Sequence, residues 1–112
     1  MVKQVAENPL AIHMEASESA CLLTLPEALP GEDAGNIADV ILNVRNKPLS
    51  IDAGKVERVD TPCIQVLMSA ANLWREDGEV LHFSEKSGTF GESISTLGLT
   101  LADLEAGDAN HA

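Results

Sequence analysis

The sequence predicts a small α/β domain in which a mixed sheet of about four strands carries its helices on one side. Apolar residues switch several times between the alternation of strands and the three-to-four spacing of helices, in the order β-β-α-β-α-β-α. Strand–helix–strand crossovers are right-handed, which places the helices on one face of the sheet. A chain of 112 residues that is 45% hydrophobic is enough for one buried core. One domain is therefore expected.

The first two strands are predicted to form a hairpin. Residues 10–14 are a short apolar candidate strand, and residues 20–25 are a second and stronger one. Serines and glutamates at 15–19 supply the turn between them. Prolines and a glycine within 26–31 end the second strand and predict a loop.

A first helix is expected to follow that loop and to end before Pro48. Its apolar stripe comprises Ile37, Val40, Ile41 and Val44. Glu32 and Asp33 lie in the predicted first turn, whereas Arg45 and Lys47 lie at the predicted end. Both placements complement the helix dipole.

The second half of the chain begins with a buried strand, residues 49–52, and a connector that turns at Gly54. Thr61 is predicted to cap the next helix, with Pro62 at its first helical position, where a missing N–H costs nothing. The apolar stripe of this helix comprises Ile64, Leu67, Met68 and Ala71. Its expected end is near residues 77–78.

A further strand and a third helix complete the domain. Residues 79–84 alternate as a strand, and Phe90, Ile94 and Leu97 mark the helix. Gly98 is predicted to be its left-handed cap, followed by a short turn that ends at Leu104. We expect the domain to span residues 9–104, between a flexible N-terminus (1–8) and a disordered acidic tail (105–112).

Composition excludes several classes of function. Seven basic and eighteen acidic residues give a net charge of −11, which repels nucleic-acid backbones and anionic membrane surfaces. The longest apolar runs are far shorter than the ~20 residues that span a bilayer. No secretory signal is visible, and two cysteines do not make a disulfide scaffold. A cytoplasmic protein that binds no nucleic acid and does not insert into membranes is expected.

No motif in the sequence indicates an enzyme, a cofactor or a metal. The phosphate-loop, dinucleotide and nucleophile-elbow patterns are missing. The histidines, His13, His82 and His111, have no partners at metal-ligand spacing. Cys63 near a helix start is either a reactive thiol or a small buried residue. Asp52 and Asp60 are either an acid–base or metal pair or ordinary residues at a strand end and a helix start.

The Thr61 hydroxyl allows two interpretations. A phosphoryl group is best tolerated at a helix N-terminus, where free N–H groups and the positive end of the dipole face it. The same hydroxyl is equally suited to act as a simple N-cap. The residues alone favour the cap.

Residues 49–99 resemble the STAS domain, the fold of bacterial anti-sigma factor antagonists. The resemblance rests on the order and spacing of short motifs: residues 49–52 (LSID), 59–61 (VDT), 77–78 (DG), 80–83 (VLHF), and an ending made of Phe90, Ile94, Leu97, Gly98 and Leu99. In that family a short strand leads into an Asp-Ser-Ser-Gly-Leu type of turn and then a helix. Pro62 and Cys63 replace the family's Ser-Gly pair, which makes this turn stiffer.

The resemblance implies a non-enzymatic module that binds a protein partner, namely a signalling kinase, an anti-sigma factor or a chemotaxis protein. Family members bind through the start of the second helix and the loop before the first, and phosphorylation of the hydroxyl residue after the Asp abolishes binding. That hydroxyl corresponds to Thr61, the phosphorylation candidate. The residues expected to line the contact are Asp60, Thr61, Pro62, Cys63, Gln65, Glu32 and Asp33.

Two subtypes fit the resemblance. Residues 61–67 (TPCIQVL) are similar to small STAS proteins of alphaproteobacterial chemotaxis systems. The Asp60–Thr61 pair also resembles the cytoplasmic STAS subunit of bacterial phospholipid-transport ABC complexes, which binds an ATPase. A nucleotide binder is a third alternative, which no glycine-rich loop supports. A monomer or weak dimer is expected, because strand edges permit pairing while the net charge opposes it.

Overall fold

The computed structural model describes Leu10 and residues 13–107. Its strands are β1 (Met14–Ala16), β2 (Cys21–Thr24), β3 (Ala28–Leu29), β4 (Leu49–Ala53), β5 (Arg58–Val59) and β6 (Leu81–Lys86). The α-helices are α1 (Ala34–Leu42), α2 (Thr61–Asp77) and α3 (Gly88–Thr96), and 3₁₀ turns lie at Gly31–Asp33 and Leu101–Leu104.

Four strands form one mixed sheet in the order β1-β2-β4-β6. β1 and β2 are the antiparallel hairpin, whereas β2, β4 and β6 run parallel to one another. Alternate residues of these strands are buried, as Leu23, Ile51 and Leu81 are, while their neighbours are partly exposed. The helices thus cover one face of the sheet, which confirms the predicted fold class.

The core is mainly aliphatic and also contains the three aromatic residues of the chain, Trp74, Phe83 and Phe90. Trp74 is fully buried, and its Nε1 donates a hydrogen bond to the Lys47 carbonyl at 2.8 Å. This bond joins α2 to the segment that enters β4. Phe83 and Phe90 pack with ring centroids 5.5 Å apart, which joins β6 to α3.

The first strand lies later than the sequence predicts. β1 begins at Met14, so Glu15 and Ala16 belong to the strand and not to the turn. The turn is shorter than the predicted residues 15–19. It is closed by the Ser17 N–H and hydroxyl, which both donate to the Ala20 carbonyl at 2.9 Å. Residues 11 and 12, part of the predicted strand, lie outside the described residues.

The first helix is also shorter than predicted. Glu32 and Asp33 belong to the 3₁₀ turn, and α1 ends at Leu42. Arg45 pairs with Asp77 of α2 at 2.8 Å, and Lys47 donates to the Ser17 carbonyl at 3.0 Å. These tertiary contacts occupy both cations, so neither serves as the predicted basic end of the helix.

The ends of the other two helices match the sequence. Gly78 and Gly98 adopt left-handed φ values of 73° and 79° after α2 and α3. The Glu79 N–H donates to the Trp74 carbonyl and the Leu99 N–H to the Ile94 carbonyl, as in a Schellman motif. Both predicted glycine ends are confirmed.

The chain continues along the edge of β6 beyond the predicted domain end at residue 104. Leu81 and Ala106 exchange two backbone hydrogen bonds of 2.9 Å. Arg75 of α2 donates to the Glu105 carbonyl at 2.7 Å. The predicted flexible N-terminus, residues 1–8, and residues 108–112 of the predicted tail lie outside the described residues. Among the described helices, none has the length and apolar character needed to cross a bilayer.

Candidate functional site

A two-residue parallel pair brings the two segments of the candidate site together. β3 pairs with β5, with Leu29 opposite Val59, and the Asp60 N–H donates to the Leu29 carbonyl at 2.9 Å. This pairing holds the turn before α1 beside the start of α2. Two-residue strands leave no periodic signal, and the sequence analysis did not predict them.

Asp60 is the link between the two segments. Its Oδ2 accepts a hydrogen bond from the Gly31 N–H at 2.8 Å, and Arg58 Nη2 lies 3.2 Å from the same oxygen. The bond from Gly31, aided by the Arg58 guanidinium, lowers the pKa of the Asp60 carboxyl. A side chain at Gly31 would place its Cβ 3.4 Å from Pro62 Cγ, so the turn packs directly against α2.

Thr61 is the first residue of α2 and not its cap. The residue before the helix is Asp60, with extended backbone angles, and its carbonyl accepts from the Cys63 N–H at 3.0 Å. The Thr61 side chain is exposed and makes no hydrogen bond within the described part of the chain. The prediction that Thr61 caps the helix is therefore wrong, because Asp60 holds that position and its carboxylate is turned to Gly31.

The helix start also offers fewer anion-binding groups than predicted. Pro62 has no N–H, and the Cys63 N–H is bonded to Asp60. A phosphoryl group on Thr61 would therefore gain little from backbone donors. It would instead stand beside the carboxylate of Asp60.

Cys63 lies beneath this surface. Its side chain is fully buried, and its thiol points to the carbonyls of Leu29 and Pro30, with Sγ to oxygen distances of 3.5 and 3.2 Å. Burial, with smaller contributions from the charges of Asp33 and Asp60, raises the pKa of the thiol to about 11. Contrary to the sequence analysis, the Cys63 side chain cannot line an external contact. Of its two interpretations, the structure supports the small buried residue and not the reactive thiol.

The other predicted contact residues lie at the surface. Glu32, Pro62 and Gln65 are exposed, and Asp33 and Asp60 are partly exposed. The Asp60–Gly31 bond holds the Glu32–Asp33 turn and the first turn of α2 together as one acidic surface. We call this the Thr61 surface: Glu32, Asp33, Asp60, Thr61, Pro62 and Gln65.

Two depressions border the Thr61 surface. A small one of about 210 Å³ is lined by Val59, Thr61, Ile64, Ser93, Thr96 and Leu97. A larger apolar groove of about 490 Å³ runs between α1 and α2, lined by Ala34, Ala38, Ile41, Leu42, Pro62, Gln65, Val66, Ser69, Ala70 and Leu73. The sequence analysis missed the groove, although two small residues of α1, Ala34 and Ala38, lie four residues apart and so share one face of that helix.

The other candidate residues do not come together as a catalytic or metal site in the described part of the chain. Asp52 accepts from the Gly54 N–H at 2.8 Å, whereas Asp60 accepts from Gly31, so each carboxylate serves its own turn. His82 lies 3.5 Å from the Ser50 hydroxyl, and His111 lies outside the described residues. Within Leu10 and residues 13–107, no three His, Cys, Asp or Glu side chains are grouped to hold a metal ion.

Comparison with known protein families gives a match over most of the chain. A protein-family model described as "Mlab, STAS domain" matches residues 12–102, which is most of the chain. Comparison with curated proteins found no match, and comparison with solved structures found none either.

Proposed function

The chain belongs to the STAS domain family, and on that basis we propose that it binds and regulates a protein partner in bacterial signal transduction. STAS domains are in general non-enzymatic interaction modules. The proposed partner is a signalling kinase, an anti-sigma factor or a chemotaxis protein. The proposed contact is the Thr61 surface, in a protein that acts in the cytoplasm.

The observation that carries this proposal is the hydrogen bond from Gly31 to Asp60. At 2.8 Å it joins the loop before α1 to the start of α2, the two segments that bind partners in the family. Thr61, Pro62 and Gln65 are exposed beside it. A partner can therefore contact both segments at once. Because their surface is already ordered, less conformational entropy is lost on binding.

Phosphorylation of Thr61 is the proposed switch. A phosphoryl group adds about two negative charges at pH 7. The phosphoryl group would lie next to Asp60 and near Asp33, whose carboxylates repel it. Burying it in an interface would also require removing its hydration water. The exposed hydroxyl makes no described hydrogen bond, so modification would break nothing in the fold.

Affinity capture tests the proposal. Wild type, Thr61→Glu and Ser95→Glu are used as baits in extract from the native host, and captured proteins are identified by mass spectrometry. Ser95 is exposed on α3 and is not a lining residue of the Thr61 surface or of its two depressions, so Ser95→Glu adds the same charge outside them. We expect wild type and Ser95→Glu to retain one signalling partner and Thr61→Glu to lose it. Equal retention by all three baits would remove Thr61 as a switch.

A second candidate is the cytoplasmic STAS subunit of a phospholipid-transport ABC complex. The observation that favours it is that Asp60, Gly31 and Arg58 fix the Thr61 surface without using the Thr61 hydroxyl. Such a surface suits a permanent contact as well as a switched one. Capture of the same membrane ATPase by wild type and Thr61→Glu would support this candidate over the switch.

A further inference from the structure

The α1–α2 groove is an apolar surface that the proposed switch does not use. None of its ten lining residues carries a charge. Leu42, at its rim, is 50% exposed, although α1 otherwise buries its large apolar residues. The groove begins at Pro62 and Gln65, so it is continuous with the Thr61 surface.

The shape of the groove fits a helix. Along α1 it extends from Ala34 to Leu42, and along α2 from Pro62 to Leu73, which correspond to about 12 and 16 Å of helix axis. Apolar residues at i, i+4 and i+7 of a helix span about 10 Å, so two to three turns of an incoming helix match the length of the groove. Small side chains at Ala34, Ala38 and Ser69 leave room for close packing between helices.

The charges around the groove define the chemistry of its occupant. Glu32, Asp33 and Asp39 are the charged residues of the segment 31–42, and all are acidic. On α2, Glu76 follows Leu73 by three residues and so lies on the neighbouring surface.

The cations near the far end of the groove are already engaged. Arg45 is paired with Asp77, and Arg75 donates to the backbone carbonyls of Ala102, Asp103 and Glu105. An incoming helix therefore meets more negative than positive charge beside an apolar floor.

We propose that this groove binds an amphipathic basic helix of the partner protein, with an apolar ridge in the groove and lysines or arginines against the acidic rim. The proposal rests on the proposed function only in that the chain is an interaction module. A second copy of this chain is disfavoured as the occupant, because its net charge of −11 would repel the acidic rim.

Site-specific photo-crosslinking tests the proposal. A benzoyl-phenylalanine replaces Ser69, which is exposed and lines the groove, or Ser95 of α3 as the control, in the full chain expressed in its native host. Cross-linked peptides are identified by mass spectrometry. We expect position 69 to capture a partner segment with apolar residues at i, i+4 and i+7 and flanking basic residues. An acidic segment, an extended segment, a second copy of this chain, or a yield no higher than at position 95 would overturn the proposal.

A matched pair of variants measures the role of the groove. Within the part of the chain that the structure describes, Leu42 and Leu97 are the large hydrophobic residues that are exposed, at 50% and 43%. Leu42→Ser should lower the yield at position 69 about fivefold, since it removes the apolar area that the helix would cover. Leu97→Ser, outside the groove but in the small depression beside Thr61, should lower it less. Equal yields in the two variants would overturn the proposal.

The two proposals fail separately. If wild type captures no partner at all, the proposed function fails. If wild type captures a partner and Thr61→Glu releases it, but position 69 gives no basic helix, only the groove proposal fails. Trp74 fluorescence confirms that each variant is folded, because this single tryptophan is fully buried.

Discussion

Two hydroxyl residues at helix starts give the sharpest test of the structure. Ser87 precedes α3, and its Oγ accepts from the Phe90 N–H at 3.0 Å and donates to the Val56 carbonyl at 2.5 Å. Thr61 opens α2 without any described side-chain hydrogen bond. Replacing each by alanine therefore removes a working cap in one case and an exposed hydroxyl in the other.

The structure predicts different costs for the two variants. Ser87→Ala loses an N-cap, which contributes ~1 kcal/mol, and leaves the Val56 carbonyl without its hydroxyl partner, at a cost of about 1 kcal/mol more. Thr61→Ala should change the free energy of unfolding by less than ~0.5 kcal/mol, because alanine is the better helix former and no bond is lost. For a domain of this size, about 2 kcal/mol corresponds to a fall in melting temperature of roughly 10 °C.

Thermal and urea unfolding followed by Trp74 fluorescence measures both costs. Trp74 is the single tryptophan and is fully buried, so its emission reports the whole domain. We expect Ser87→Ala to melt about 10 °C below wild type and Thr61→Ala within roughly 2 °C of it. A loss for Thr61→Ala as large as that for Ser87→Ala would mean that Thr61 caps α2 after all, and would refute the assignment of Asp60 to that position.

Three further predictions follow from the pKa values and the glycines. Asp60→Asn should have a lower melting temperature than wild type at pH values above 3.8, the ordinary carboxyl pKa. The difference should vanish as the pH falls through the lowered pKa of Asp60. A constant difference down to pH 2 would contradict the role of the carboxylate. With its thiol pKa raised to about 11, Cys63 should react with a thiol reagent at pH 8 only after urea unfolds the chain, and rapid labelling of the native protein would contradict its burial. Gly107→Ala should accelerate hydrogen exchange at the Leu81 amide, because the new Cβ would lie 2.9 Å from Val80 Cα. The control is Gly98→Ala, whose new Cβ would point into open space. It should cost only the ~1 kcal/mol of placing alanine in a left-handed conformation, and the Leu81 amide should stay protected.

Much of the fold can be predicted because its elements have strong local signals. The alternation in β2 and β6 and the apolar stripes of α1 and α2 mark which residues face the core. Gly78 and Gly98 mark two helix ends, because glycine adopts a left-handed φ without steric cost. The end of α1 was missed, since Arg45 and Lys47 bond to α2 and to the hairpin turn, and such contacts leave no trace in local sequence.

The candidate site was predicted less completely, because tertiary contacts decide which residues reach its surface. Asp60 and Thr61 are both good capping residues, and only the extended backbone of Asp60, whose carbonyl accepts from the Cys63 N–H, shows that Asp60 occupies the capping position. The burial of Cys63 agrees with one of its two predicted interpretations and with helical spacing, since Cys63 precedes the core residue Leu67 by four. The β3–β5 pair could not be predicted, because two residues carry no period.

In the proposed function, stability and recognition depend on different residues at the Thr61 surface. Asp60 carries the bond between the two loops, and Cys63 lies in the core beneath them. By contrast, Thr61 and Gln65 are exposed, and no side-chain hydrogen bond of either is described. A charge placed on Thr61 therefore changes what a partner meets without loosening the bond between the loops. For this reason, loss of a partner by a folded Thr61→Glu protein would report recognition, whereas the same loss in Asp60→Asn would mix recognition with the integrity of the surface.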